Sequence, residues 1–441
     1  MKTHYTSLSI TDLVQNLRAN PENIQDYITE VLQLMTDRDD KIKAFLPEAG
    51  REDRLRREAR ELARHFDKPD QCPPLFGVLV GVKDLFNVDG LPTRAGSKLP
   101  PEVFEGSEST LVKQLKEAGA IVLGKTVSTE FAYFCPGETR NPINTNHTPG
   151  GSSSGSAAAV AAGFCPLAIG TQTIASITRP ASYCSILGFK PTQGYLSTEG
   201  VFPFSQSADH AGFFCRNISD TVYVTEILLP GALNSGTFDS EVIGRLPHLA
   251  WFSGSFFFQA DSASRQIFLA QIDQLRDRGY EILSIDDDFP LCPVADIDTL
   301  NLKHKRLIAA EFYHNHKLLY EQFSGLYSEA SSELYTLGKG IDTQELEDLK
   351  SYQQTQRSLF KNFFGRHGFD LIISPSTTST APLGLESTGS PLMSLPFTHA
   401  GLPTITIPSG ADMKGLPFGI QIIAPQAKDL FLLYASRAMV P

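Results

Sequence analysis

The stretch HTPGGSSSGSAAAVAAG, His147 to Gly163, sets four serines and three glycines directly ahead of an alanine run that a fourth glycine closes. The residues from Ala157 to Ala162 are strong helix formers and Gly163 is placed as a C-terminal stop, so a helix is expected to begin near Gly155 or Ser156. The serines would then sit at a helix N-terminus, where free backbone N–H groups and the dipole favour developing negative charge. A serine hydroxyl is a poor nucleophile at neutral pH and needs a base. Gly151 to Gly155 also fits the GxSxG nucleophile elbow, with Ser153 as nucleophile, but that motif needs a strand immediately before it. The preceding RNPINTNHTPG, with its prolines and asparagines, is no strand. A phosphate-binding P-loop is excluded because no Gly-Lys-Ser/Thr follows. The remaining bland alternative is a solvated, linker-like loop.

The elements around this seam argue against a linker. LFGVLVGVK, ending at Lys83, reads as a short buried strand, and a helix-like STLVKQLKEAGA leads from it towards a second strand at IVLGK. The apolar run from Ala157 to Gly170 is broken by Gly163 and Pro166, giving a buried helix and then a strand. Further strands are expected at HLAWF, YEILSI, DLIIS, TITIP and GIQIIAP, the last two joined by a turn around Asp412 to Gly415. Leu55, Ala59, Leu62, Ala63 and Phe66 recur at helical spacing. The reading is an α/β fold: one large domain, 61–441, with a mixed central sheet covered by helices on both faces. An N-terminal helical segment, 1–60, packs on it, and a helical excursion occupies about 296–367.

Composition narrows the function. The chain has 441 residues, 41% of them hydrophobic and 20% charged, an ordinary globular balance. A net charge of −11 and scattered Lys and Arg exclude a phosphate-tracking nucleic-acid partner. The polar N-terminus and the lack of a long apolar run predict a cytoplasmic chain with no membrane partner. Six cysteines without a CxxC pair fit reduced thiols. His314 and His316 point to different faces of a helix, and no metal and no cofactor is expected.

With GVLVGVKDLFNVDGLPTRAGS, GETRNP, the serine seam, GTQTIASITRPASYCSILGFKPT, SADHAGFFCR and LPFTHAGLPTITIP in order, the chain resembles the amidase signature hydrolases from about residue 60 onwards. The resemblance implies a Ser-Ser-Lys catalytic set. Lys83 is the lysine of GVKD. Ser152 is the first serine after the double glycine, at a non-proline cis peptide. Ser176, 24 residues further on, is the nucleophile. It also implies an oxyanion hole of backbone N–H groups at Thr173, Ile174, Ala175 and Ser176, and a small-molecule amide as the partner.

This chain departs from the family text in two places. Gln172 replaces the usual Asp, and Ile174-Ala175 replaces Gly-Gly, a strained exchange if either position needs φ > 0. S-I-T-R-P replaces S-I-R-x-P, which resembles the branch containing malonamidase and hydrolases of carboxylated ureas. In that branch the arginine matching Arg179 binds the substrate's carboxylate; the alternative is that Arg179 pairs with a structural carboxylate. Ser153, Gln172, Cys135 and His399 complete the expected substrate-binding set, with Phe131 and Tyr133 as pocket or core aromatics. Asp209 and Lys190 are expected to pair structurally. A homodimer is the assembly the resembling branch allows. Two other functions stay open: the glutamine-hydrolysing subunit of a tRNA amidotransferase, and a non-catalytic binding homologue motivated by Ile174-Ala175.

Overall fold

A computed structural model describes residues 4–66, 68–231 and 245–439. Its strands are β1 Leu79–Lys83, β2 Ile121–Thr126, β3 Leu167–Gln172, β4 Leu187–Lys190, β5 His210–Cys215, β6 Leu249–Phe252, β7 Ile282–Ile285, β8 Leu371–Pro375, β9 Thr404–Ala411 and β10 Pro417–Ile423. They form one mixed sheet in the order β2-β1-β3-β5-β4-β9-β10-β8-β6-β7. Both flanks of the sheet are parallel and its centre is antiparallel.

The helices are α1 Ile10–Ala19, α2 Asn23–Ile42, α3 Arg51–His65, α4 Thr110–Glu117, α5 Ser154–Ala161, α6 Thr178–Cys184, α7 Ile218–Leu228, α8 Ser262–Asp277, α9 Ile297–Phe323, α10 Glu329–Lys339, α11 Thr343–His367, α12 Leu395–His399 and α13 Asp429–Arg437. Parallel strands of one sheet need crossovers, and α4 supplies the one from β1 to its neighbour β2 and α5 the one from β2 back past β1 to β3. Strands β1 to β3 are buried along their whole length, which is why they read as unbroken apolar runs rather than alternation. The β9–β10 turn is held by Asp412, whose Oδ1 accepts from Lys414 N at 2.8 Å and Leu416 N at 2.9 Å.

All the strands expected from apolar runs are present, and the sheet contains two more, β4 and β5, that no apolar run announces. LGFK is short and contains glycine, and HAGFFC is glycine-interrupted, so their own propensity is weak. Their place in the middle of the sheet comes from the partners on either side. The N-terminal helices are continuous with the main core: Ile10, Leu13 and Tyr27 share one cluster with Val80 and Ile169. Helix α3 passes through residue 60 unbroken, and Arg54 on it donates to the carbonyls of Val122 and Leu123 in β2. The excursion comprises α9, α10 and α11, and a separate cluster joins its Leu307, Phe312 and Leu334 to Leu85, Phe131 and Phe204 on the loops above the sheet.

Candidate functional site

Lys83 ends β1 and is fully buried. Its Nζ lies 2.7 Å from Ser152 Oγ and 2.8 Å from Thr171 Oγ1, and no carboxylate reaches it as an ion pair among the described residues. Burial holds its pKa well below the ordinary lysine value, with a smaller opposing pull from the Asp209 charge. The neighbouring Asp84 does not neutralise it, because Asp84 is taken by Lys125 at 2.8 Å in a buried pair. A neutral amine can accept the Ser152 hydroxyl proton, which makes Lys83 a candidate base.

The seam is divided between chemistry and stitching. Helix α5 starts at Ser154, slightly earlier than the composition suggests. The Gly151–Ser152 peptide is cis. Ser153 Oγ donates to Thr171 O at 3.1 Å and accepts from Thr171 N at 3.3 Å. Ser154 Oγ donates to Val127 O, and Ser156 Oγ to Ile169 O at 2.9 Å. Three serines therefore tie the seam to the strands beside it, and only Ser152 meets the lysine. Ser153, expected to bind substrate, is instead buried in the β3 backbone. The helix N-terminus is not an open anion site either: Gly155 N–H donates to Val127 O at 2.9 Å. Any side chain at Gly155 would collide with Ala44 O and Val127 N, both 2.3 Å from the position its Cβ would take.

Thr173 to Ser176 connect β3 to α6 and line a small cavity of about 10 Å³ together with Arg179, Ala132, Tyr133, Phe134, Phe204 and Pro391. None of the four N–H groups donates to a protein acceptor among the described residues. Gln172 explains how the segment stays open. Its Oε1 accepts from Ile177 N at 2.7 Å, Thr178 N at 3.0 Å and Thr178 Oγ1 at 3.1 Å, and its Nε2 donates to Thr398 Oγ1 at 2.9 Å. Both polar atoms of the Gln172 side chain are bonded to protein groups. Ile174 and Ala175 are not among the residues with positive φ, so replacing the glycines costs no left-handed strain. The doubt about these two positions is thereby removed on steric grounds.

Arg179 is buried, and no carboxylate among the described residues pairs with it. Its Nη1 donates to Gly389 O and its Nη2 to Gly151 O at 2.7 Å, while Nε has no partner among the described residues. Burial lowers its pKa to about 10, which still leaves a full positive charge at neutral pH. Asp209 pairs structurally as expected: it accepts from Thr173 Oγ1 at 2.6 Å and from the N–H groups of Phe204 and Ser205. Lys190 donates to Leu402 O.

Two other residues expected at the substrate do not line this cavity. His399 lies behind the segment, its Nδ1 2.9 Å from His304 Nδ1 and its ring fully buried. Cys135 is absent from the cavity wall, and its carbonyl accepts from Glu130 N. Ala132 and Phe204, with Thr171 beneath the lysine, join the site without a signal in the sequence. Nothing in their types distinguishes them from core, although Thr171 lies inside the GTQT motif. A second cavity of about 670 Å³ shares Ala132 and Phe204 with the first and reaches Thr171 and Asp209.

A mixed ten-stranded sheet carrying a buried lysine, a cis-peptide serine and an open backbone segment defines the class, an α/β amidase-signature hydrolase acting on carbon–nitrogen bonds. The chain belongs to the Amidase family, whose model matches residues 27–243 and 288–433. Its curated relatives include a Glutamyl-tRNA(Gln) amidotransferase subunit of Lysinibacillus sphaericus (strain C3-41), 30% identical over 94% of this chain and 92% of that protein. The same subunit of Prochlorococcus marinus (strain MIT 9211) is 29% identical over 94% and 93%. Among solved structures, one described as "An unexpected vestigial protein complex reveals the evolutionary origins of an s-triazine catabolic enzyme" superposes with a TM-score of 0.84 at 26% identity, covering 98% of both chains. Another, "Crystal structure of amidase", does so at 0.81 and 27%, covering 97% of both. No helix among the described residues is long and apolar enough to cross a membrane.

Proposed function

We propose that this protein hydrolyses a small-molecule amide through an acyl-enzyme on Ser176, with Ser152 relaying protons to and from Lys83, and that the acyl part of the substrate carries a carboxylate. The observation that carries the reading is the buried, unpaired Lys83 Nζ 2.7 Å from Ser152 Oγ. Ser176 attacks the amide carbonyl and passes its proton to Ser152, whose own proton goes to Lys83. The C–N bond breaks as that proton returns to the leaving nitrogen, which departs as ammonia or an amine. Water then repeats the attack on the ester, regenerating Ser176 and releasing the acid. The free N–H groups of Thr173 to Ser176 are suited to hold the tetrahedral oxyanion. No hydrogen bond joins Ser152 to Ser176 among the described residues, so the relay requires that link to form when substrate binds.

The carboxylate preference rests on Arg179, a buried cation on the wall of the cavity that holds Ser176, with no acidic partner among the described residues. It is in keeping with the malonamidase-like reading of S-I-T-R-P. The test is ammonia release from malonamate, malonamide, biuret-type ureas, glutamine and neutral amides, with Ser176→Ala beside the wild type. Release confined to acid-bearing amides and lost in the variant supports the reading; release from neutral amides alone refutes the carboxylate assignment.

A second reading, in which the chain hydrolyses glutamine only in company with partner chains, is favoured by the identity to the amidotransferase subunits over nearly the whole chain. Hydrolysis of glutamine that sets in only when those partner chains are added supports this second reading.

A further inference from the structure

Helix α9 carries three buried polar residues, of which His304 and Glu311 are seven positions apart and therefore on one face. Each of these two begins a route of hydrogen bonds and adjoining backbone that ends on the Thr173–Ser176 segment.

On one side the His304 ring meets the His399 ring, Nδ1 to Nδ1, at 2.9 Å, and also lies against the backbone of Thr173. His399 closes α12, and the residue before it, Thr398, accepts from Gln172 Nε2 at 2.9 Å and lies 2.7 Å from Ile174 O as a donor. Both imidazoles are kept neutral by burial, so one Nδ1 donates and the other accepts, a directed bond with no net charge. On the other side Glu311 accepts from Ser205 Oγ, and from Ser207 through both its N–H, at 2.9 Å, and its hydroxyl. The same turn is bound by Asp209, which accepts from Ser205 N–H and Phe204 N–H and from Thr173 Oγ1 at 2.6 Å.

We infer that α9 acts as a two-point yoke: His304, through His399 and Thr398, and Glu311, through the 204–209 turn and Asp209, are positioning residues that hold the backbone N–H groups of the oxyanion segment in place. This inference rests on the catalytic reading proposed above. The yoke makes the helical excursion part of the catalytic geometry and not only a cover. Its physical basis is that a segment whose N–H groups must stay free for substrate can be fixed only by its side chains and carbonyls. Thr173 Oγ1 and Ile174 O are the groups so used.

The experiment compares wild type with His304→Leu, His304→Asn, Glu311→Ala and Glu311→Gln in two assays, steady-state amide hydrolysis and the rate at which a fluorophosphonate probe labels Ser176. Expected are a fall in kcat of about 10- to 100-fold in His304→Leu and Glu311→Ala with KM changed less than about threefold, and a parallel fall in labelling rate. The polar replacements His304→Asn and Glu311→Gln should recover most of the loss. Unchanged kcat and labelling in the truncated variants overturns the yoke, as does an equal loss in truncated and polar variants. If the truncated variants do not fold, Glu311→Asp decides, since it withdraws the carboxylate by one methylene and keeps the charge. Lowered kcat at constant KM then supports the yoke and wild-type kcat overturns it. Wild type that neither labels nor hydrolyses any amide sinks the catalytic reading itself, a different outcome from labelled wild type with unaffected variants.

Discussion

Arg179 Nη2 donates to the carbonyl of Gly151 at 2.7 Å, so the cation on the cavity wall also holds the residue directly before Ser152, the proposed relay. One guanidinium thus ties together the wall of the Ser176 cavity, the seam that meets Lys83 and, through Nη1, the Gly389 loop. A charged hydrogen bond to each carbonyl offsets part of the desolvation cost of burying the guanidinium, and a substrate carboxylate would offset the rest.

Arg179→Gln should therefore act in two ways that kinetics can separate. Loss of an anion contact raises KM for a carboxylated amide by about 10- to 100-fold, the usual worth of a charged hydrogen bond. Disturbance of the Gly151 carbonyl lowers kcat for every substrate alike. A carboxylated amide and its neutral ester, assayed side by side, should show the KM penalty only for the acid.

Removing Ser176, Ser152 or Lys83 singly, as Ser176→Ala, Ser152→Ala and Lys83→Met, should reduce turnover by at least about 1,000-fold, and the double and triple variants should lose little more. The measurement is single-turnover ammonia release. Additive losses would mean that the three groups do not act as one unit.

The lysine also predicts a pH dependence. In the folded protein Lys83 is neutral well below the ordinary lysine pKa, whereas in the unfolded chain it stays protonated up to about pH 10.4. Between those values the unfolded state holds the extra proton, so stability rises with pH and is lost as pH falls through the folded value. Lys190, lowered to about 7 by burial, adds a slope of the same sign above that pH. Denaturant titrations from pH 6 to 10 should show the slope reduced in Lys83→Met, which should also be at least as stable as wild type at neutral pH because a desolvated amine is gone. Activity should have an acid limb that follows Lys83 deprotonation.

Ile174→Gly tests the other departure from the family text. Ile174 packs partly buried against two apolar clusters, and its backbone needs no glycine. The exchange should cost about 2–4 kcal/mol in stability from lost burial and added chain entropy, read as a lower denaturation midpoint. It should also enlarge the small cavity and admit bulkier acyl groups. A variant that gains activity on all substrates without losing stability would contradict this account of the loop.

Much of the fold is legible because its signals are local. Buried strands such as Leu79–Lys83 are continuous apolar runs, and the β9–β10 turn is marked by Asp412 and Gly415. The motif residues Lys83, Ser152 and Ser176 stand at recognisable spacings, and the structure brings the first two within hydrogen-bond distance. Strands β4 and β5 are not legible, because LGFK and HAGFFC pair only where the surrounding strands already wait.

Residue types and spacing by themselves determined the α/β class, and the ordered motifs carried the resemblance that pointed to the family and to the candidate catalytic groups, since each depends on stretches of a few residues. Only the tertiary structure decided which of four neighbouring serines meets the lysine, that the side chains of Gln172 and His399 bond to neighbouring protein groups, and that no acidic group among the described residues pairs with Arg179. The physical reason is that these are matters of direction and long-range pairing. A hydroxyl or amide has the same chemistry whether it turns inward or outward, and partners such as His304 and His399, 95 residues apart, are joined only when α9 packs against α12.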